Sequence, residues 1–233
     1  MKGGVNSLYL TIKNIFRLVL VIGCGWGLAL LLGLFEGRFE LNQLVFYTIQ
    51  SNLLVFCAYL YLLIKSIVKS LSLKQMWSAD FSPNSMGALT LIIVITGLIY
   101  NFILVPTISD TSGYAVNSFS DILVHTFTPI MVFVDWVLFV NTSDTKRIKP
   151  WTWTILPLLY WGFTIIRAQI GGPIAGFGSY YPYFFIDADE LGWTRVVINV
   201  LVLLVVFALF GYLMKLIAWL TNRFKPFTKR NLL

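Results

Sequence analysis

Thr48, Ser51 and Asn52 lie close together in the stretch FYTIQSNLLVF, residues 46–56, and the only histidine of the chain, His125, lies in VHTFTPIMVFVDW, residues 124–136. A hydroxyl is a weak nucleophile until a base takes its proton, and its attack builds an oxyanion that needs hydrogen-bond donors. Thr48 or Ser51 offers the hydroxyl, and His125 is the natural nitrogen base at neutral pH. The amide of Asn52 or Asn101 is a suitable donor. Asp121, one helical turn before His125, is spaced to fix the imidazole tautomer as the acidic member of a triad does. Each residue also has a quieter reading. An isolated threonine in an apolar helix bonds back to its own helix carbonyl, and a histidine can simply bridge packed helices. Thr48, Gln50, Ser51 and Asn52 are polar at four of five consecutive positions, so Thr48 is not isolated.

These residues must be positioned by a very apolar chain. Of its 233 residues 58% are hydrophobic and 12% charged, and its mean hydropathy is +0.81. That balance excludes an ordinary water-soluble domain. A helix crossing a hydrocarbon core of ~30 Å needs roughly 20 mostly apolar residues. Six stretches qualify, at about 15–35, 43–64, 87–106, 119–140, 151–168 and 194–220. The expectation is an all-α, polytopic membrane protein forming a single domain over 1–233, with six spans and both termini cytoplasmic. With that orientation 14 of the 17 basic residues fall on the cytoplasmic side, leaving Arg38, Arg167 and Arg195 outside. Topology and anionic lipid account for the net charge of +7, so no nucleic-acid partner is implied. The membrane expected is the cell membrane.

Depth brings the polar residues together. Entry of the second span near Gln43 places Thr48 ~7–8 Å deep, entry of the fourth near Phe119 places His125 ~9 Å deep, and Asn101 lies ~7–8 Å below the exit of the third. Thr48, Ser51 and Asn52 share one helical stripe, and Asp121, His125 and Thr128 share another. Pro129 lacks an N–H, leaves the carbonyl of His125 free and predicts a kink beside the imidazole. Asp135 lies ~15 Å deeper than His125, too far for contact. It is expected to be protonated, to pair with a tyrosine or asparagine across the bundle, or to face a polar cavity. Arg167 either snorkels to the headgroups or recognises an anionic headgroup or substrate carboxylate. The outer loop from Ala168 to Trp193 is either a cap over the polar layer or an aromatic interfacial belt. Cys24 and Cys57, both within spans, read as packing residues. The sequence contains no phosphate-binding glycine loop, HExxH, CxxC or His/Cys cluster, so neither a metal nor another cofactor is expected.

The segments FYTIQSN, VHTFTPIMVFVDW and YPYFFIDADELGW, with the six-span layout, resemble a family of small polytopic proteins. It comprises the androgen-induced-gene and androgen-dependent tissue-factor-pathway-inhibitor-regulating proteins with their bacterial six-helix relatives. Animal members are intramembrane threonine hydrolases that cleave fatty acid esters of hydroxy fatty acids. The resemblance implies Thr48 as nucleophile and His125 as base, with membrane lipid as surroundings and a lipid ester as substrate. QSN after the threonine and Asp135 after the proline depart from the animal pattern. Two readings of other classes stand beside the hydrolase. One is a small transporter or channel component with His125, Asp135 and Asn101 as a polar route, although no inverted repeat or pair of glycine-broken half-helices is visible. The other is a non-catalytic membrane scaffold.

Overall fold

The computed structural model describes residues 2–107, 118–142, 144–175 and 178–222. The basic residues Arg223, Lys225, Lys229 and Arg230 of the expected cytoplasmic tail lie outside the described residues. Among the described residues all regular structure is helical. Five helices are long and apolar enough to cross a membrane. They are α1 (Lys2–Leu31), α2 (Tyr47–Leu73), α3 (Pro83–Thr107), α4 (Phe119–Phe139) and α6 (Trp193–Asn222). The stretch expected as a fifth span, 151–168, is a 3₁₀ turn, Pro150–Thr154, followed by α5, a regular helix of 16 residues, Ile155–Ile170. Pro157 explains the division, because a proline ring is tolerated in the first turn of an α-helix but conflicts with the preceding carbonyls in its interior. The regular helix therefore starts two residues before it.

Helices α3 and α4 are not uniform. α3 begins on a capped start, with the Ser82 hydroxyl accepting from the Ser85 N–H and Pro83 in the first turn. It then loosens into a π turn at Tyr100–Leu104. α4 likewise carries a π turn, Leu123–Phe127, just before Pro129. α1 packs on α2 and α4, while α3 packs on α2, α4 and α6. The shared core holds Leu20, Tyr59, Leu91, Val132 and Trp136, all inaccessible to solvent. Gly87 gives Trp153 room to enter this core, since a Cβ there would lie 2.2 Å from the indole. Trp153 meets Trp136 edge-on at 6.0 Å. Outward faces are apolar, with Leu201, Val202, Val205 and Leu209 of α6 all exposed. A continuous surface of this kind suits lipid rather than water.

The end of the bundle opposite His125 contains a buried ion cluster. Arg17 is fully buried and donates to both carboxylate oxygens of Asp135, from Nε at 2.8 Å and from a terminal nitrogen at 2.9 Å. It also bonds Asp80 at 2.7 Å and the Ala79 carbonyl at 2.6 Å. Lys13 pairs with Asp80 at 2.5 Å, and the Tyr59 hydroxyl donates to Asp135 at 3.0 Å. Lys13 and Arg17, counted among the 14 basic residues of the cytoplasmic side, are both buried, because the segment after α2 folds back and carries Asp80 to them. Asp135 finds its tyrosine, but its principal partner is an arginine. Cys57 is also corrected: Cys24 is buried, whereas Cys57 is exposed on the outer face of α2 and packs into no core.

Candidate active site

The break before α2 decides the setting of Thr48. A 3₁₀ turn, Leu41–Val45, ends at Phe46, whose backbone is extended (φ −78°, ψ 138°), and the α-helix starts at Tyr47. Thr48 is therefore in the first helical turn, not one turn further in as a span beginning at Gln43 implies. The first N–H groups of a helix have no acceptor within it. That of Tyr47 donates to the hydroxyl oxygen of Tyr183 at 3.1 Å. The rest of the polar patch is occupied locally. The Gln50 side-chain amide donates to the Leu44 carbonyl at 2.9 Å and ties the 3₁₀ turn to the helix. Ser51 bonds the Thr48 carbonyl at 3.1 Å and contacts the Thr96 hydroxyl at 2.8 Å. Asn52 donates to the carbonyls of Thr48, at 2.9 Å, and Val124, at 3.2 Å.

His125 occupies the π turn of α4, where the missing N–H of Pro129 and the wider helix leave backbone carbonyls to be satisfied by side chains. The Thr128 hydroxyl donates to the Leu123 carbonyl at 2.8 Å. The freed carbonyl of His125 accepts from the side-chain amide of Asn101 at 3.3 Å, and the same amide donates to the Gly97 carbonyl at 2.8 Å. Gly97 permits this approach, because a Cβ at that position would lie 2.7 Å from the His125 carbonyl oxygen. The π turns of α3 and α4 are thus joined directly behind the imidazole.

The ring itself is held on three sides. Tyr100 stacks on it with 3.5 Å between centroids and an interplanar angle of 8°. Asp121 Oδ1 lies 3.5 Å from Nδ1 without hydrogen-bond alignment. The Tyr100 hydroxyl donates to the other oxygen of Asp121 at 2.9 Å, so one tyrosine orients both acid and imidazole. Nε2 meets the Thr48 hydroxyl oxygen at 3.1 Å. With Nδ1 protonated toward Asp121, Nε2 is the acceptor and Thr48 the donor, the tautomer needed for proton removal from the hydroxyl. His125 and Asp121 are both buried.

Beside Thr48 lies a cavity of about 70 Å³ between α2, α3, α5 and α6, with Ile95, Ile99, Val200, Leu203, Leu204 and Phe207 as its apolar wall. Tyr183 lines it together with Thr48. This tyrosine comes from the loop after α5, which is itself well tied. Ser179 donates to Asp187 at 2.6 Å, Asp187 caps the one-turn helix Ala188–Leu191, and Asn199 donates to the Phe185 carbonyl at 2.9 Å. The Tyr183 oxygen faces the Thr48 hydroxyl and the N–H groups of Thr48 and Tyr47. Burial raises its pKa above the ordinary tyrosine value, with those hydrogen bonds acting in the opposite direction. The phenol therefore keeps its proton at neutral pH.

Comparison of the chain with protein-family models, with curated proteins and with solved structures finds no match in any of the three. The assignment of roles rests on the geometry. Of the residues singled out in the sequence, the structure brings together Thr48, His125, Asp121, Asn52 and Asn101, with Ser51 directly beneath. It differs on what the amides do: Asn52 and Asn101 hold backbone carbonyls and leave the oxyanion role unfilled. Ser51 does not face the imidazole. Asp135 belongs to the separate ion cluster, and Arg167 secures the outer loop by donating to the Tyr180 carbonyl at 3.0 Å. Tyr100 and Tyr183 were not singled out. Tyr100 directly precedes Asn101, and a stacking partner for a buried histidine was its available signal. Tyr183 lies in a loop, where periodicity assigns no facing.

Proposed function

We propose that this protein is an intramembrane hydrolase of lipid esters, with Thr48 as nucleophile and His125 as base. The observation that carries this reading is the 3.1 Å contact between Thr48 Oγ1 and His125 Nε2 at the edge of an apolar cavity. A hydroxyl on a base, a base backed by a carboxylate, and an apolar pocket beside them are the parts an acyl transfer requires. In the first half-reaction His125 Nε2 takes the Thr48 proton as Oγ1 attacks the ester carbonyl carbon. The carbonyl π electrons move to oxygen. Collapse expels the alcohol, which takes the proton from Nε2, and leaves an acyl ester on Thr48. In the second, water attacks that ester as its proton passes to His125 Nε2; collapse breaks the bond to Thr48 Oγ1, which takes the proton back from Nε2, and the carboxylic acid is released.

The cavity wall suits an aliphatic acyl chain, because burying each methylene in such surroundings contributes about 0.8 kcal/mol. The resemblance to the androgen-induced-gene family supports the same two residues and the same substrate class. In this reading the chain crosses the cell membrane six times, the 3₁₀ turn Pro150–Thr154 and α5 together forming the fifth crossing in chain order. Both termini are cytoplasmic, and Thr48 and His125 work at the depth of the outer leaflet.

The test is covalent labelling of the purified protein with a fluorophosphonate probe, followed by peptide mapping of the adduct. A single adduct on Thr48, prevented by His125→Ala, is expected. Absence of any adduct under conditions where a soluble serine hydrolase labels fully would overturn the reading.

A further inference from the structure

The hydrolase reading leaves the negative oxygen of the tetrahedral intermediate without an amide donor, since the side chains of Asn52 and Asn101 are engaged with backbone carbonyls. We infer that the Tyr183 hydroxyl is a catalytic residue that donates to this oxyanion. The inference rests on that reading and goes beyond it by assigning a residue of the outer loop to the transition state.

Three observations point to Tyr183. It stands beside the place of the substrate, because it and Thr48 both line the cavity and its oxygen faces the Thr48 hydroxyl. A carbonyl attacked by Thr48 Oγ1 while its acyl chain lies along Leu203 and Phe207 places its oxygen within reach of this hydroxyl. Second, the phenol oxygen is already supplied with donors. It accepts from the Tyr47 N–H at 3.1 Å, and the Thr48 N–H faces it as well. Its acceptor capacity is thus used, and its own proton is left to donate outward. Third, those donors belong to the first turn of a 27-residue helix, so the partial positive charge at the start of α2 falls on the phenol oxygen. Hydrogen bonds received by a hydroxyl polarise its O–H bond and strengthen the bond it gives.

The nearby Tyr160 does not compete for this role, because its hydroxyl donates to the Val45 carbonyl at 2.9 Å. In the resting protein the Tyr183 hydroxyl faces that of Thr48. When Oγ1 bonds to the substrate carbon, the developing oxyanion becomes the strongest acceptor within reach of the Tyr183 O–H and takes its hydrogen bond. No proton is transferred, and Tyr183 is unchanged at the end of each half-reaction. The site thus stabilises the intermediate more than the ester, the condition for raising kcat rather than lowering KM.

The experiment uses the full-length protein in detergent with p-nitrophenyl octanoate as substrate. Tyr183→Phe keeps the ring in its parallel stack on Phe185, at 5.4 Å and 3°. Its kcat should fall roughly 100-fold or more, as when one oxyanion donor is removed, with KM within about twofold. Fluorotyrosines introduced at 183 should restore activity, and kcat should rise as the phenol becomes more acidic while it remains protonated. A Tyr183→Phe protein with kcat within about threefold of wild type, alongside an inactive Thr48→Ala, overturns this inference and leaves the hydrolase reading standing. If Tyr183→Phe also raises KM or lowers Tm, the fluorotyrosine series decides, and a flat series overturns the inference. Wild-type activity in Thr48→Ala overturns the hydrolase reading itself.

Discussion

Arg17 and Asp135 meet through two hydrogen bonds of 2.8 and 2.9 Å, with neither residue accessible to solvent. This pair joins α1 to α4, and Tyr59 adds α2 through its bond to Asp135 at 3.0 Å. Removing one member of such a pair leaves the other charge buried, which typically costs 3–5 kcal/mol. Asp135→Leu should lie near 3 kcal/mol, because Asp80 keeps one contact with Arg17. Adding Arg17→Met should recover more than half of the loss, since Lys13 and Asp80 remain paired. Thermal unfolding of the three variants in one detergent measures both values. Strictly additive losses would show that the pair does not couple the helices.

The joint between the two π turns is tested at Gly97. Alanine is the better helix former by about 1 kcal/mol, so propensity alone predicts a more stable protein. The new Cβ, however, would sit 2.7 Å from the His125 carbonyl oxygen and 3.1 Å from the Pro129 ring. A backbone atom and a proline ring cannot move aside without moving α4. Gly97→Ala should therefore destabilise the protein by about 1–3 kcal/mol, the usual range for overpacking. It should also slow probe labelling at Thr48, because His125 moves with its carbonyl. A stabilised, fully reactive variant would refute the coupling between the turns.

The proposed orientation predicts which loops reagents can reach. Asp144 and Asp189 are both exposed, Asp144 in the connection after α4 and Asp189 in the one-turn helix before α6. In a protein lacking Cys24 and Cys57, Asp189→Cys should react with a membrane-impermeant maleimide in intact cells, and Asp144→Cys only after permeabilisation. Reaction of both in intact cells would exclude an odd number of crossings between them, and with it the single crossing made by α5.

How much was legible before the fold was known differs between the helices and the site. Helix positions follow from hydropathy, because lipid demands an apolar surface at every exposed position of a span. The meeting of Thr48 with His125 follows from counting along the helices, although that count begins α2 at Gln43, whereas the α-helix begins at Tyr47. The extended backbone at Phe46, which returns Thr48 to the first turn, has no glycine or proline to announce it. Asp135 shows another limit. An acid within a span signals a partner, but that partner depends on a rotation about two helix axes that sequence spacing leaves free. Arg17 lies near the end of a hydrophobic run, where a boundary charge and an interior charge look alike in sequence. Tyr183 was hidden for a different reason: its facing is set by Ser179, Asp187 and Asn199 acting on a loop, and none of these bonds has a period.

Thr48 and Ser51 lie on one stripe of α2, and either hydroxyl is chemically able to attack an ester. The geometry separates them. Thr48 Oγ1 reaches His125 Nε2 at 3.1 Å and borders the cavity, whereas Ser51 is buried, bonded to the Thr48 carbonyl and in contact with Thr96. Thr48→Ala and His125→Ala should each reduce ester hydrolysis and fluorophosphonate labelling by at least about 10³-fold, the scale on which a nucleophile and its base act as a unit. Ser51→Ala should retain most of both and cost about 1 kcal/mol of stability for the lost hydrogen bonds. Thr48→Ser should keep partial activity, because the primary hydroxyl remains within reach of the same imidazole. Without the γ-methyl its χ1 is less restricted, so a smaller fraction of molecules holds the oxygen against Nε2. The four variants are compared at equal amounts of folded protein, measured by size-exclusion chromatography in the same detergent. An inactive Ser51→Ala beside a fully active Thr48→Ala would move the nucleophile one turn along α2, and the contact with His125 would then be a packing interaction only.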